Sequence, residues 1–148
     1  MLSLPKKKAT MAGKKISGIK RHIATDILGL PIAIHATPAN VGDRDGALEM
    51  LETYAPNLSQ IAALLCDGGY TGDSFADAVK ALLVGAEVQI AKRSELHKFV
   101  VIPKRWIVER TLGWLDNFRC LWKNCERKLH TSHQMTVIAF ISLLLKRY

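Results

Sequence analysis

The sequence has few of the features that mark secreted or membrane proteins. Its three cysteines are an odd number without the spacing of a disulfide framework, so we expect reduced thiols in a cytoplasmic protein. The N-terminal residues form no apolar core of the kind found in signal peptides. The most apolar stretch, Val137 to Leu145, is too short to cross a bilayer. These absences argue against a disulfide-stapled fold and predict no role at a membrane.

Acidic residues are also scarce, since 13 Asp and Glu stand against 21 Lys and Arg, which gives a formal net charge of +8. An excess of this size favours a polyanionic partner, with nucleic acid ahead of a membrane surface. A basic surface without a function is the alternative. A phosphate-binding loop is missing as well, because Asp67-Gly68-Gly69-Tyr70 has neither the lysine nor the spacing of a P-loop.

The apolar pattern predicts an α/β layer fold. With 148 residues and an apolar fraction of 49%, the chain is long enough for one globular domain. Residues 1–18 are rich in lysine and lack apolar periodicity, which predicts a basic flexible arm before a folded domain over 19–148. Strands over 19–26 and 30–36, with a short link, predict an antiparallel hairpin. The remaining order of helix, strand, helix, strand and two helices predicts a mixed sheet with flanking helices.

Short motifs predict where several helices begin and end. Asp43 is the predicted N-cap of the first helix, and Pro56 is its predicted stop. A basic and aromatic helical stretch is predicted over 118–128. The run Thr131-Ser132-His133-Gln134 has the pattern of a capping box and predicts the start of the last helix. The predicted inner face of that helix comprises Met135, Ile138, Ala139, Ser142 and Leu145.

The main candidate site combines an acid at a strand tip with an acid on a later helix. The apolar run before Asp67 ends abruptly in this carboxylate and two glycines, which predicts a buried strand that presents Asp67 at its C-terminal tip. Glu109 follows 109 − 67 = 42 residues later, enough chain to bring it back to the sheet edge. Oxygen ligands of this kind suit Mg²⁺ or Mn²⁺, and two such ions could promote attack on a phosphodiester.

Arg105 lies four residues before Glu109, so both fall on one helix face, where the arginine could hold the carboxylate or a phosphate. The alternative is a turn aspartate and a surface Glu–Arg pair without a function.

Two further sets of residues are candidates for a chemical role. His22 and His35 fall on adjacent strands of the predicted hairpin and could pair as acid and base, but no nucleophile is indicated near them. Possible zinc ligands occur near the C-terminus, but cysteines five positions apart on a helix diverge by roughly 140°. The zinc candidates are Cys120, Cys125, His130 and His133.

Four motifs follow one another along the chain. They are Gly13-Lys14-Lys15 with Lys20-Arg21-His22, Asp43-Arg44-Asp45-Gly46, Asp67-Gly68-Gly69-Tyr70, and the run from Pro103 to Thr111. Taken in this order, they closely resemble bacterial insertion-sequence transposases of the four/five superfamily. The resemblance covers the chain from about Gly13 to its C-terminus, and the run around Glu109 is its most specific part.

The resemblance implies a ribonuclease H-like catalytic domain with a DDE triad and two divalent metal ions. Asp67 matches the second acid of the triad, Glu109 the third, and Arg105 the arginine before it. The wider signature has a tyrosine and a lysine where Ile102 and Asp116 stand, so those two roles are not carried over.

The first acid of the family's triad has no counterpart here. It lies on a central strand before the basic segment, whereas residues 1–12 contain no Asp and no strand pattern, and Asp26 is a poor substitute. The resemblance therefore implies a partial domain that lacks its first, central strand. We expect unpaired strand edges, marginal stability or filling of the gap by another segment.

The expected function is that of a DNA transposase, and the chain is expected to be an incomplete copy of one. A complete transposase of this kind binds transposon ends and cleaves and transfers DNA strands with Mg²⁺ or Mn²⁺. The alternative is a noncatalytic DNA-binding, assembly or inhibitory fragment. Expected partners are DNA, the upstream transposase segment or full-length transposase, and an oligomer is possible. The residues expected to contact DNA are Lys14, Lys15, Lys20, Arg21, Arg105 and Arg110.

Overall fold

The computed structural model describes residues 10–11, 14–91, 105–122 and 125–146. Six strands and five α-helices occur in these ranges, with single 3₁₀ turns at Ala55–Leu58 and Gly68–Tyr70. The strands are β1 Thr10–Met11, β2 Lys14–Ser17, β3 Ile19–Thr25, β4 Pro31–Pro38, β5 Ala63–Asp67 and β6 Glu87–Ala91. The helices are α1 Asp43–Tyr54, α2 Asp73–Leu82, α3 Arg105–Asp116, α4 Arg119–Trp122 and α5 Leu129–Leu145.

The predicted hairpin is confirmed as the antiparallel pair of β3 and β4, in which His22 lies opposite His35. Its turn is organised by Asp26, whose Oδ1 accepts hydrogen bonds from the backbone N–H groups of Leu28 at 2.9 Å and Leu30 at 2.7 Å. Gly29 has a φ of +80°, a conformation that glycine adopts without the steric cost of a side chain. One side-chain carboxylate and one glycine therefore fix the reversal of the chain.

The second pair of strands is parallel, and α2 makes the crossover between them. β5 and β6 pair from Ala63 with Glu87 to Asp67 with Ala91. The helix packs through Phe75 and Val79, which are 3% and 0% exposed, and Leu83 beyond its end is also buried. These elements agree with the predicted strand, helix and strand.

The structure forms three separate two-stranded sheets over the described residues, β1 with β2, β3 with β4, and β5 with β6. A mixed α/β architecture is therefore present, but the antiparallel and parallel pairs are not joined into the single mixed sheet that the sequence predicts. Within the described ranges, β3 and β5 each pair with one strand only.

The prediction that β5 is buried is wrong. Its residues alternate between exposed and half-buried, and the Leu65 side chain remains 43% exposed. Leu64 and Cys66 pack against the core, whereas the opposite face of the strand is not covered by the described residues. Parallel strands are usually covered on both faces, so this face is unusual for its type.

Two apolar clusters form the core. The first joins α1, α2 and the parallel strands around Leu51, Phe75 and Val79. The second joins β4 to the C-terminal helices around Ile34, Leu115 and Phe140. Because α1 supplies residues to the first cluster and also packs on β4, it links the two halves of the molecule.

The last helix begins earlier than predicted, and of its predicted inner face only Ala139 is fully buried. α5 starts at Leu129 after the N-cap residue Lys128, so the predicted capping box lies inside the helix and that prediction is wrong. Ile138 and Leu145 are 54% and 75% exposed, although they were predicted to face inward. The buried residues are Ser132, Thr136, Ala139, Phe140 and Leu143. Because apolar residues occur almost all round α5, its sequence does not select one face.

Three smaller differences concern ends and loops. The N-cap of α1 is Gly42, and Asp43 is its first residue. Within the predicted flexible arm, β1 and β2 form an antiparallel pair. Of the helical stretch predicted over 118–128, the described residues form a helix only in the four residues of α4, and residues 125–128 are not helical, so that part of the prediction is wrong. No helix of the described ranges is long and apolar enough to span a membrane.

Candidate functional site

Asp67 is the last residue of β5, so the structure places this carboxylate at the strand tip, as its sequence position predicts. The side chain is exposed, and its Oδ1 accepts a hydrogen bond of 2.7 Å from the N–H of Gly68. This hydrogen bond caps the 3₁₀ turn Gly68–Tyr70, and the second carboxylate oxygen, Oδ2, takes no part in it. Asp67 is therefore oriented by its own turn and open to solvent.

The start of α1 lies beside this strand tip. Arg44 donates a hydrogen bond from its Nε to the carbonyl oxygen of Gly69 at 3.2 Å, which ties the helix to the turn after Asp67. Burial raises the pKa of Tyr70, and electrostatic interactions with the nearby Asp43, Cys66 and Asp67 raise it further. The carboxylates of Asp43 and Asp67 therefore both raise the pKa of the Tyr70 phenol, which puts them in one acidic region around that side chain.

Asp43 is already engaged with Lys20, one of the predicted DNA contacts. The ammonium nitrogen of Lys20 lies 2.8 Å from Asp43 Oδ1 and donates a 2.8 Å hydrogen bond to the carbonyl oxygen of Val41. The Lys20 side chain is only 18% exposed. In this arrangement Lys20 stabilises the join between the hairpin and α1.

Arg21, another predicted DNA contact, is also directed into the protein. Its Nη1 donates a 3.4 Å hydrogen bond to the carbonyl oxygen of Leu121 on α4. Burial lowers the pKa of the guanidinium, while the nearby Cys120 and Asp116 act in the opposite direction. Its Nε is buried and has no hydrogen-bond partner among the described residues. Arg21 therefore connects β3 to the C-terminal helices.

Glu109 lies in the middle of α3 and its side chain is exposed. Arg105 is the first residue of the same helix, so the two stand one turn apart along it. The side chains of Arg105, Lys14 and Lys15 lie outside the described part of the structure. The opposite face of α3 is buried through Ile107, Thr111 and Leu115.

Arg110, the remaining predicted DNA contact, lies against the hairpin turn. Its Nη2 donates a hydrogen bond to the carbonyl oxygen of Leu28, and its guanidinium lies 4.4 Å from the ring centre of Trp106 and 4.9 Å from that of Trp114. The neighbouring Thr111 donates a hydrogen bond of 2.7 Å to the carbonyl oxygen of Gly29. α3 is thus attached to β3 and β4 at their turn.

The donor atoms of Asp67 and Glu109 fit a hard divalent cation, because Mg²⁺ is commonly held by one or two carboxylates together with water and substrate phosphates. Over the described residues, however, no group of three or more His, Cys, Asp and Glu side chains is arranged to hold a metal ion. Asp67 and Glu109 therefore have donor atoms suited to a metal ion. Within the described ranges, neither belongs to a cluster of three metal ligands.

The two histidines considered as an acid–base pair have separate partners. His22 is 6% exposed, and its Nε2 lies 2.9 Å from Thr37 Oγ1. His35 Nε2 lies 3.1 Å from Glu49 Oε2. The ring centres are 6.5 Å apart, too far for a direct proton transfer between them. Burial lowers the pKa of His22, and the nearby His35 and Lys20 lower it further against the opposite effects of Asp43 and Glu49.

Sequence reasoning missed two residues beside these groups. Gly46 brings the backbone of α1 against the His22 ring so closely that a Cβ atom would lie 2.2 Å from its Nε2. Arg44 was recognised only as part of a motif, and its contact with Gly69 was not expected. A glycine inside a helical pattern was the available signal for a close approach of this kind.

Comparisons with known proteins agree with these observations. A family model described as "Transposase DDE domain" matches residues 3–145. A protein of Burkholderia cepacia named "Putative transposase for insertion sequence element IS402" is 35% identical over 118 residues, which cover 75% of this chain and 55% of the relative. The chain therefore spans about half the length of this curated relative. No solved structure matches the chain significantly.

Proposed function

This chain belongs to the family of transposase DDE domains, and we propose that it carries part of the catalytic domain of a DNA transposase. The complete domain would bind transposon ends, cleave phosphodiester bonds and transfer DNA strands. The observation that carries the proposal is the exposed carboxylate of Asp67 at the tip of β5, inside the region that the family matches. In this reading residues 19–148 are a partial ribonuclease H-like domain and residues 1–18 a basic arm.

The proposed catalytic residues are Asp67, Glu109 and Arg105. Asp67 and Glu109 would hold the divalent ions that the family generally uses, and both expose carboxylates of the chemistry that Mg²⁺ or Mn²⁺ requires. Such ions supply Lewis acidity and neutralise charge on a phosphodiester. Arg105, one helical turn before Glu109, would orient that carboxylate or hold a phosphate. Lys14 and Lys15 on β2 remain proposed DNA contacts, since Lys20, Arg21 and Arg110 make contacts inside the protein.

A further transposase segment is the proposed partner that completes the site. In the described ranges β3 and β5 each have one paired edge, and β5 has an uncovered face with Leu65 43% exposed. A strand added between them would satisfy unpaired backbone groups and cover apolar surface. If that strand ended in an aspartate, it would bring a third carboxylate to Asp67. The segment could come from the upstream part of the transposase, from full-length transposase or from an oligomer.

The second candidate function is a noncatalytic DNA-binding, assembly or inhibitory fragment. The formal charge of +8 favours binding to DNA whether or not a metal site is completed. The described residues contain no three-ligand group for a metal, which is also compatible with a fragment that binds without cleaving. Either function places the protein in the bacterial cytoplasm, on the nucleoid when bound to DNA.

A cleavage assay separates the two functions. The full chain is incubated with Mn²⁺ and transposon-end DNA, with and without a transposase segment that bears the first catalytic aspartate. We expect cleavage only with the segment, and its loss in both Asp67→Asn and Glu109→Gln. A matched control, Asp73→Asn, removes an exposed acid from the start of α2 and should leave cleavage unchanged. Salt-sensitive DNA binding without cleavage in any mixture would favour the noncatalytic fragment.

A further inference from the structure

We infer that Arg110 and Thr111 are positioning residues, which dock the helix of Glu109 on the turn of the β3–β4 hairpin, and that Arg110 is not a phosphate-binding residue. The importance of Glu109 rests on the proposed function. The docking itself is argued from contacts between α3 and the turn.

Four hydrogen bonds made within the turn hold its shape. Besides the two bonds accepted by the Asp26 carboxylate, the N–H of Asp26 donates to the carbonyl oxygen of Leu30 at 2.9 Å. The N–H of Gly29 donates to the carbonyl oxygen of Asp26 at 3.1 Å. The carbonyl groups of Leu28 and Gly29 are left pointing at α3.

Two adjacent residues of α3 use those two carbonyl groups. Thr111 is 1% exposed, and its hydroxyl can donate to Gly29 at 2.7 Å or to the carbonyl oxygen of Ile107 at 3.0 Å. Arg110 donates to Leu28. A hydroxyl this deeply buried, beside a carbonyl 82 positions away in sequence, is a specific tertiary contact.

The guanidinium of Arg110 is restrained by stacking as well as by hydrogen bonding. Trp106 and Trp114 lie one turn before and one turn after it, and both rings approach its central carbon within 5 Å. Its Nε is buried, and the part of the chain that the structure describes offers it no hydrogen-bond partner. Cation–π contacts with two rings and a bond to the backbone leave this charge little freedom to reach a phosphate.

Gly29 is needed because the contact is close. A Cβ atom there would lie 3.0 Å from Thr111 Oγ1 and 3.3 Å from Arg110 Nη2. The positive φ of Gly29 would add strain to any other residue. The close contact and the positive φ thus both require glycine at position 29, whose carbonyl oxygen accepts the hydrogen bond from Thr111.

Because the face of α3 that carries Thr111 is docked on the hairpin turn, the opposite face of the helix points outward. Successive helical residues rotate by about 100°, so Glu109 lies about 160° around α3 from Thr111. Glu109, Leu112 and Asp116 are exposed, in agreement with this rotation. The contacts of Thr111 and Arg110 therefore set the position and rotation at which Glu109 is presented.

The test combines amide hydrogen exchange with DNA binding on the full chain. Thr111→Val keeps the shape but removes the hydroxyl, and should lower the exchange protection of α3 about ten-fold, the effect of one buried acceptor left unpaired. Thr111→Ser should restore it. Arg110→Gln should lower protection as well, while the salt dependence of binding to a linear duplex of random sequence changes no more than in Arg119→Gln. Arg119 is the matched control because it is an exposed arginine on α4.

Two outcomes would overturn the inference. In the first, Thr111→Val and Arg110→Gln leave α3 protection unchanged. In the second, Arg110→Gln lowers the slope of log affinity against log salt by about one relative to Arg119→Gln, as expected for a lost phosphate contact. A Mn²⁺ titration of the chain with the added transposase segment reports on Glu109 separately: Thr111→Val should weaken binding and Thr111→Ser recover it. Failure of the wild-type mixture to bind Mn²⁺ would refute the proposed function of Glu109, while hydrogen exchange would still decide the docking.

Discussion

Replacing Gly46 by alanine should destabilise the protein, although alanine is the better helix former. Gly46 is buried in the first turns of α1. In an open helical position this change stabilises by up to about 1 kcal/mol. Here the new Cβ atom would lie 2.2 Å from Nε2, 2.5 Å from Cε1 and 2.8 Å from Cδ2 of His22. No real contact is that short, so the ring or the helix must move.

The size of the effect follows from what holds His22 in place. Its ring is 6% exposed and bonded to Thr37, so it cannot turn away without losing that hydrogen bond. Overpacking of this kind costs about 1–3 kcal/mol, and the lost hydrogen bond costs about 1 kcal/mol. After the gain in helix propensity is subtracted, Gly46→Ala should lower the free energy of unfolding by about 2 kcal/mol.

Urea unfolding followed by circular dichroism measures this change, and the chain contains a matched control. Gly113 lies inside α3, and a Cβ atom built there meets no atom of the described residues within 4 Å. Gly113→Ala should therefore raise the free energy of unfolding by about 0.5–1 kcal/mol. In a His22→Ala background, Gly46→Ala should lose most of its cost. Equal effects of the two glycine substitutions would refute the steric argument.

Three further predictions concern titration and the hairpin turn. Because burial lowers the pKa of His22, the free energy of unfolding should decrease as pH falls from the ordinary histidine pKa of 6.5 towards the lower pKa of the folded state. Burial raises the pKa of Cys66 from 9.0 to about 11, so stability should fall as pH rises between these values, and a thiol reagent should modify it more slowly than the exposed Cys120 and Cys125. Asp26→Ala should cost about 1–2 kcal/mol by removing an acceptor for two N–H groups, whereas Asp26→Asn retains an acceptor and should cost less.

Each of these three predictions could be contradicted by one measured result. Acid stability that is the same with and without His22 would show that its burial does not govern the pH dependence. Three thiols that react at one rate would show that Cys66 is accessible. Equal unfolding energies for Asp26→Ala and Asp26→Asn would show that the side-chain oxygen does not hold the turn.

The sequence was most informative where structure is determined locally. The hairpin could be predicted because alternating residues and a glycine turn specify two short strands and their direction. The position of Asp67 at a strand tip could be predicted because an apolar run ends there and two glycines follow. These signals act over a few neighbouring residues, and they place Asp67 at the end of a strand and Glu109 on a helix, as observed.

Burial and docking could not be predicted in the same way because they depend on distant parts of the chain. The exposure of Leu65 reflects which strands and helices cover β5, a property that its own alternation does not contain. The bond between Thr111 and Gly29 joins residues 82 positions apart. The buried face of α5 was also not encoded locally, since Ile138 is as apolar as the residues that pack.

The position of α1 has a consequence for how the molecule opens. This helix contributes Leu51 to the cluster with α2 and the parallel strands, and it packs Gly46 on His22 of the hairpin. The second cluster, around Phe140, lies on the other side of β4. Local unfolding should therefore occur in two cooperative units that share α1 as their boundary. Under mild denaturant, amide exchange should show separate opening free energies for α2 and α5, and α1 should follow the more stable unit.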